Sequence, residues 1–341
     1  MVLSDLLLLG QGADLASQRG VSCTGALPEA SDPDLVQRAR IARAALGDRA
    51  IVLGHHYQRD EVIEFADITG DSFKLAQAAA AQSSAEYVIF CGVHFMAETA
   101  KILSPNKTVL LPDLNAGCSL ADACSPDEFA QFRADHPGHV VISYINCSAA
   151  IKAQSDLICT SSNAVAMVKS IPEEQGILFA PDQNLGNWVQ KQTGRKLVLW
   201  PGSCIVHETF SEAAVFKLKA AHPKAELIAH PECQSHLLDL ADFIGSTSKL
   251  LSHSKTSTAS SFIVLTEPGI LHQMRKAAPH KEFYGVPGLD GCSCNACPYM
   301  RLNTLDKLEN CLKTMAPAIN LEEGLRLRAL APIKKMLELS N

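Results

Sequence analysis

The sequence predicts an α/β protein of three like units, related by pseudo-threefold symmetry, with one shared site on the central axis. Three observations predict it. The first is an internal repeat. The apolar runs "AIVLGHHYQ", "HVVISYINC" and "AELIAHPEC" align through His55, Tyr144 and His230, which lie 89 and 86 residues apart. The same offsets pair Ser72 with Ser161 and Thr247, Phe90 with Phe179 and Leu265, and Pro112 with Pro201 and Pro287. Four correspondences at constant offset mark triplication of one structural unit. The second is alternation within each unit. Short β-branched or apolar runs alternate with helical patterns such as "FKLAQAAAAQ", "AVAMVKSI" and "LHQMRKAA", which reads as βαβ units with a small parallel sheet covered by helices. The third is where the polar residues fall. Each run ends in Gly, Ser, Thr, Asp or Asn, residues that cap the following helix, so polar groups collect at the carboxyl ends of parallel strands, where open α/β folds bind ligands.

The boundaries follow from the repeat: an N-terminal extension over 1–35, a first unit over 36–117, a second over 118–203 and a third over 204–298, with C-terminal helices in 299–341 packing on the first unit. The chain has 341 residues, 47% of them apolar, enough for one large core or two to three small ones. The opening "MVLSDLLLLGQGADLAS" carries Asp5 where an export signal would be basic, and its Leu run is too short to span a membrane. A cytoplasmic protein is expected. Twelve cysteines in such a chain argue for reduced thiols and for metal or redox chemistry rather than a disulfide framework. Net charge is −6, from 36 acidic and 30 basic residues, without a basic cluster of the kind a nucleic-acid surface needs. Small-molecule partners are favoured, and nucleic acid and membrane are not.

The densest cysteine cluster lies in "GLDGCSCNACPYM", residues 288–300, where Cys292, Cys294 and Cys297 admit a disulfide, a zinc site or an iron–sulfur ligand. A closed zinc site needs a second ligand pair, and beyond Pro298 there is Cys311 and no His. The repeat supplies better partners. After Pro112 comes Cys118, after Pro201 comes Cys204, and after Pro287 comes Cys292, Cys294 or Cys297. One thiolate per unit would meet at the axis, and a cubane [4Fe–4S] cluster, threefold along its diagonal, can take three thiolates and keep one iron open. An open iron is a Lewis acid. The competing reading, that Cys118 and Cys204 are small buried hydrophobes, is the commonest fate of a free Cys, but it does not explain their equivalent places.

With these motifs assembled, the chain resembles the quinolinate synthases. The resemblance covers about residues 36–315 and rests on "GHHYQ", "TGDS", "GVHFMAETAKIL", "YINCSAAIKAQSD", "CTSSNA", "PDQNLG", "WPGSCIVHE", "HPEC", "GSTS" and "CNACPYMRLNTL". It implies a triangular fold of three α/β domains and a [4Fe–4S] cluster with three Cys ligands and one open iron. The implied reaction joins iminoaspartate and dihydroxyacetone phosphate into quinolinate, with loss of phosphate and water, in de novo NAD synthesis. It places the ligands on Cys118, Cys204 and Cys297 and implies supply of iminoaspartate by L-aspartate oxidase or aspartate dehydrogenase. One departure is visible. Many members carry C-x-x-C-x-x-C-P, whereas this chain has Gly291 in place of the first Cys, which undermines a regulatory disulfide here.

The reaction requires a site that holds several negative oxygens while acid–base groups stay free. Ser72, Ser161, Ser246 and Thr247 fall at expected helix starts, where hydroxyls, backbone N–H groups and the helix dipole receive carboxylate or phosphate. Helix capping alone would account for any one of them; equivalence across three units favours ligand binding. His55 with Tyr57, Tyr144 with Asn146, and His230 with Glu232 are i, i+2 pairs at strand ends, so each pair shares a face. Glu232 is the candidate general base, Tyr57 the candidate proton donor, Tyr144 and Asn146 carboxylate binders, and His207, three residues after Cys204, a group that orients a substrate hydroxyl. Cys23, Cys91, Cys124, Cys147, Cys159, Cys233 and Cys311 lack the repeat relation and are assigned to packing. Two rivals differ in class: a diphthamide-synthesis type of radical enzyme using S-adenosylmethionine, and a non-enzymatic iron–sulfur redox sensor. The many proton carriers at the strand ends suit acid–base dehydration better than either.

Overall fold

A computed structural model describes residues 33–81, 84–288 and 295–340. Among them twelve strands form three four-stranded sheets, all parallel. The first sheet holds β1 (Ala50–His55), β2 (Ile68–Gly70), β3 (Tyr87–Cys91) and β4 (Thr108–Leu110). The second holds β5 (Val140–Tyr144), β6 (Leu157–Cys159), β7 (Ile177–Ala180) and β8 (Val198–Leu199), and the third β9 (Glu226–Ala229), β10 (Phe243–Ile244), β11 (Ser261–Leu265) and β12 (Glu282–Gly285). Strand order is the same in each: β2-β1-β3-β4, β6-β5-β7-β8 and β10-β9-β11-β12. The middle strands β1 and β11 are buried along their whole length, which is why they read as continuous apolar runs rather than alternating ones.

A clip recurs in all three units and extends the repeat. Asp67, Asp156 and Asp242 each accept the backbone N–H of the preceding strand, from Val52 (2.7 Å), Val141 (2.8 Å) and Leu227 (2.7 Å). Each also donates its own N–H back to that residue's carbonyl. These aspartates, spaced by the same 89 and 86 residues, tie the start of each second strand to the first and so hold the turn that follows it.

The chain ends wrap this frame. The helix Leu305–Thr314 packs on the helix Pro33–Leu46, against the first sheet. The last helix, Glu323–Leu339, reaches further than the first unit, where it was expected. It lies across β6 and the helix Ala149–Lys152 of the second unit as well as the helix His94–Leu103 of the first. Its buried Ala329, Ile333 and Met336 join the largest core cluster, which draws on all three sheets, and Arg326 Nη1 donates to Ile102 O at 3.2 Å. An amphipathic helix is held where its apolar stripe finds cover, here the seam between two units. Of the N-terminal extension, residues 1–32 lie outside the described residues. No helix among the described residues is long and apolar enough to cross a membrane.

Candidate active site where the three sheets meet

One cavity opens at the carboxyl ends of the strands, and it collects residues from every unit. Its wall includes His55, Tyr57 and Ser72 from the first, Tyr144, Asn146 and Ser161 from the second, and His230, Glu232 and Thr247 from the third. Cys118, Cys204, His207 and Cys297 are on it too. Of the predicted site residues, Ser246 stands apart. It is fully buried behind the wall, where it caps its helix through Lys249 N and donates to Asp71 Oδ2 at 3.2 Å. Cys292 and Cys294 lie outside the described residues.

The strand ends set the protonation of two histidines. Tyr57 N–H donates to His55 Nδ1 (3.2 Å), and in the equivalent turn Glu232 N–H donates to His230 Nδ1 (3.3 Å). An imidazole that accepts at Nδ1 in its neutral form carries its proton on Nε2. Burial keeps both rings neutral, lowering His55 to about 3 and His230 to about 4. The cavity therefore has two neutral N–H donors. His207 stacks on His230 with centroids 5.0 Å apart, and its Nε2 lies 2.9 Å from Thr266 Oγ1. Its Nδ1 approaches Glu232 Oε2 to 2.8 Å, too poorly aligned for a hydrogen bond, so that buried nitrogen has none.

Glu232 sits at the centre of this group. Burial opposes its charge, yet His230 and His207 beside it and the nearby Tyr144 hydroxyl hold its carboxyl below the usual range. Asn146 Nδ2 donates to its Oε1 at 3.3 Å. Asp182, also fully buried, is pushed the other way, first by desolvation and then by the Glu232 charge. Two neighbouring carboxyls with opposed shifts separate one ionised from one protonated group. Tyr57 Oη lies 2.9 Å from both Thr247 Oγ1 and Thr266 Oγ1, and burial keeps the phenol protonated.

The three thiols share a local design. Cys118 heads the turn Ser119–Asp122, Cys204 precedes His207–Thr209, and Cys297 precedes Met300–Leu302. Each sulfur faces backbone N–H groups of its own turn, from Leu120 and Ala121, from His207, and from Tyr299 and Met300. None is in a disulfide. Burial raises all three, Cys297 to about 12. Donors aimed at a sulfur favour its thiolate, whereas burial opposes it; a bound metal resolves the conflict by deprotonating the thiol outright. Cys204 also lies with His207 and Glu232 in a group whose donor atoms are all within 4.8 Å of one another.

Sequence reasoning missed several residues here. Asp71 lines the cavity and accepts from Ser162 Oγ (3.1 Å) of the second unit and Ser246 of the third. Its signal was present, since it occupies the turn "GDS". Glu267, also on the wall, follows the third β-run at a place where the other units have Gly92 and Pro181. Phe95, Met96 and Met300 form an apolar flank that no polar motif marks.

The buried histidines carry a pH prediction. Burial also lowers His56, to about 4. Unfolded histidines titrate near 6.5, so below about pH 6.5 the unfolded chain takes up protons that these native residues refuse. Their contribution is intact above that pH and is lost as the pH falls toward about 4. The unfolding free energy of the metal-free protein should drop across this window, by on the order of 3 kcal/mol per histidine, and the urea midpoint with it. A midpoint unchanged from pH 7 to 4.5 would contradict the buried neutral state.

Fold and site together define a triplicated α/β protein in which each sheet gives one pair of polar strand-end residues, and the loop after its last strand one thiol, to a common acid–base cavity. A protein-family model described as "Quinolinate synthetase A protein" matches residues 39–338. The chain is 65% identical over 290 residues to the quinolinate synthase of Prochlorococcus marinus strain MIT 9303, covering 85% of this chain and 87% of that protein. It is 61% identical over 292 residues to that of Nostoc sp. strain PCC 7120, covering 86% and 90%. It is 58% identical over 292 residues to that of Cyanophora paradoxa, covering 86% and 88%. The chain belongs to the quinolinate synthase family, which works in the de novo biosynthesis of NAD and uses a [4Fe–4S] cluster.

Proposed function

We propose that this cavity condenses iminoaspartate with dihydroxyacetone phosphate to quinolinate, with release of phosphate and water, and that Cys118, Cys204 and Cys297 hold the family's cluster. The observation that carries the reading is the convergence of three donor-flanked thiols with the His/Tyr, Tyr/Asn and His/Glu strand ends on one wall. When bound, the cluster supplies a Lewis-acidic iron that polarises an oxygen of the substrate.

The chain's own residues supply the rest. Glu232, ionised and backed by His207, is the base that takes a proton from substrate carbon or nitrogen. Tyr57, kept protonated, donates toward a developing oxyanion. The Nε2–H groups of His55 and His230 hold substrate oxygens without adding charge, which suits a cavity already containing Asp71 and Glu267. Ser72 and Thr247 open the helices Ser72–Ala81 and Thr247–Thr256; their hydroxyls and the helix N-termini receive the phosphate. Tyr144, Asn146 and Ser161 orient the dicarboxylate, and Ser246 holds Asp71 and the Thr247 helix in place from behind. Val93, Phe95, Met96 and Met300 exclude water, which strengthens every polar contact inside. Iminoaspartate hydrolyses readily as an imine, so transient contact in the cytoplasm with L-aspartate oxidase or aspartate dehydrogenase fits the chemistry. The acid–base strand ends set this reading above a radical enzyme using S-adenosylmethionine or a redox sensor.

The test is an anaerobic assay of quinolinate formation with iron and sulfide determined on the same sample. Quinolinate should form in proportion to cluster content, and on air exposure activity should fall together with the cluster absorbance. An enzyme that stays fully active after bleaching would overturn the role given to iron. One bound zinc per chain, with no sulfide, would favour the Cys204–His207–Glu232 group as a single-ion site instead.

A further inference from the structure

The three thiol-bearing loops are not anchored alike. In the first unit His94 N–H donates to Ala116 O at 2.6 Å, and in the second Gln183 N–H donates to Gly202 O at 2.8 Å. His94 and Gln183 begin equivalent helices, His94–Leu103 and Gln183–Thr193. Ala116 and Gly202 each stand two residues before the thiol. A backbone bond from the helix start thus pins each of these loops directly beside its cysteine.

The equivalent position in the third unit is Gly269, 86 residues after Gln183. Its N–H donates instead to the side chain of Glu267, Oε2, at 2.6 Å. The other oxygen, Oε1, accepts the N–H of Cys297 at 3.1 Å. The spacing explains the difference. From the repeat proline to the thiol there are six residues after the first sheet (Pro112 to Cys118), three after the second (Pro201 to Cys204) and ten after the third (Pro287 to Cys297). The third interval is longer, and there one carboxylate spans what a direct backbone bond closes elsewhere. Gly92 and Pro181, the equivalents of Glu267, have no side chain able to do this. Glu267 is fully buried, and Arg301 Nη2, 3.6 Å from Oε1, balances its charge.

We propose that Glu267 is the positioning residue for Cys297, a carboxylate bridge between a helix start and the third thiol that replaces the backbone tie of the other two units. The cluster role of Cys297 rests on the reading above; the bridge itself does not. Hydrogen bonds from backbone N–H to a buried carboxylate are charge-assisted, and losing both frees the Cys297 backbone.

The test compares wild type with Glu267→Gln and Glu267→Ala in two measurements. In the metal-free protein, iodoacetamide alkylation of Cys118, Cys204 and Cys297 is followed by tandem mass spectrometry. Cys297 should react about tenfold faster in Glu267→Ala, as expected when one to two such bonds are lost, and less so in Glu267→Gln, whose amide keeps one acceptor. Cys118 and Cys204 should keep their rates. In anaerobic reconstitution, Glu267→Ala should retain cluster roughly 10- to 100-fold less well, with an altered EPR signal in whatever cluster remains. Should Glu267→Ala not fold, Glu267→Gln carries both measurements. An unchanged Cys297 rate, or an equal rise at all three thiols, would overturn the proposal. A rise at Cys297 alone, in a protein that takes up no cluster even as wild type, would uphold the bridge and overturn the cluster assignment.

Discussion

Replacing Cys118, Cys204 or Cys297 singly by Ser is expected to reduce cluster content to background and to abolish quinolinate formation. Among the described residues, Cys118, Cys204 and Cys297 are the thiols on the cavity wall, one in the loop after the last strand of each sheet, at turns where backbone N–H groups face the sulfur. A serine hydroxyl is far less acidic than a thiol and a poor donor to iron at neutral pH. Iron, sulfide and the visible absorbance of anaerobically purified protein measure the effect. Cys91→Ala and Cys159→Ala are the controls. Both sulfurs are fully buried in core clusters, so these changes should cost about 1–3 kcal/mol of stability while the cluster stays. If Cys118→Ser kept a full complement of iron and sulfide, ligation by these three thiols would be wrong.

The second large effect is expected at Glu232. Glu232→Gln preserves shape and the Asn146 contact region while removing the carboxylate that the histidines and Tyr144 hold ionised. A general base contributes roughly 10²–10⁴-fold to rate, so kcat should fall by that factor with cluster content unchanged. A loss confined to KM, with kcat intact, would make Glu232 a binding group rather than the base. Removal of its partner by His207→Asn should cost less, because Tyr144 and Asn146 still hold the carboxylate in place.

The repeat was the legible part of the architecture. Its signal is local, since a strand, its polar end and the following helix start occupy about twenty residues whose pattern does not depend on the rest of the chain. That is why His55, Tyr144 and His230 were placed at equivalent strand ends, and why Ser72, Ser161 and Thr247 were placed beside them. Ser246 shows the limit of the same reasoning. A hydroxyl at a helix start satisfies the backbone and a ligand equally well by pattern, and only packing directs this one inward to Asp71 and Lys249 N. The clip aspartates Asp67, Asp156 and Asp242 obey the repeat as strictly as the strand ends do, but a carboxylate immediately before a short strand reads as ordinary loop polarity until its partner N–H is seen.

What the sequence by itself determined is the unit: three βαβ modules, their parallel sheets, a polar strand end in each and a thiol after each, all consequences of short-range periodicity and turn chemistry. What only the tertiary structure decided is how the units meet. Asp71 accepts hydrogen bonds from hydroxyls of the other two units, burial and then the Glu232 charge raise the Asp182 carboxyl, and Glu267 reaches Cys297 across thirty residues of chain. The last helix covers the seam between two units rather than one. The physical reason is common to all four. Hydrogen bonding, desolvation and apolar cover act through space, and residues brought together only by packing leave no spacing in the chain by which to recognise them.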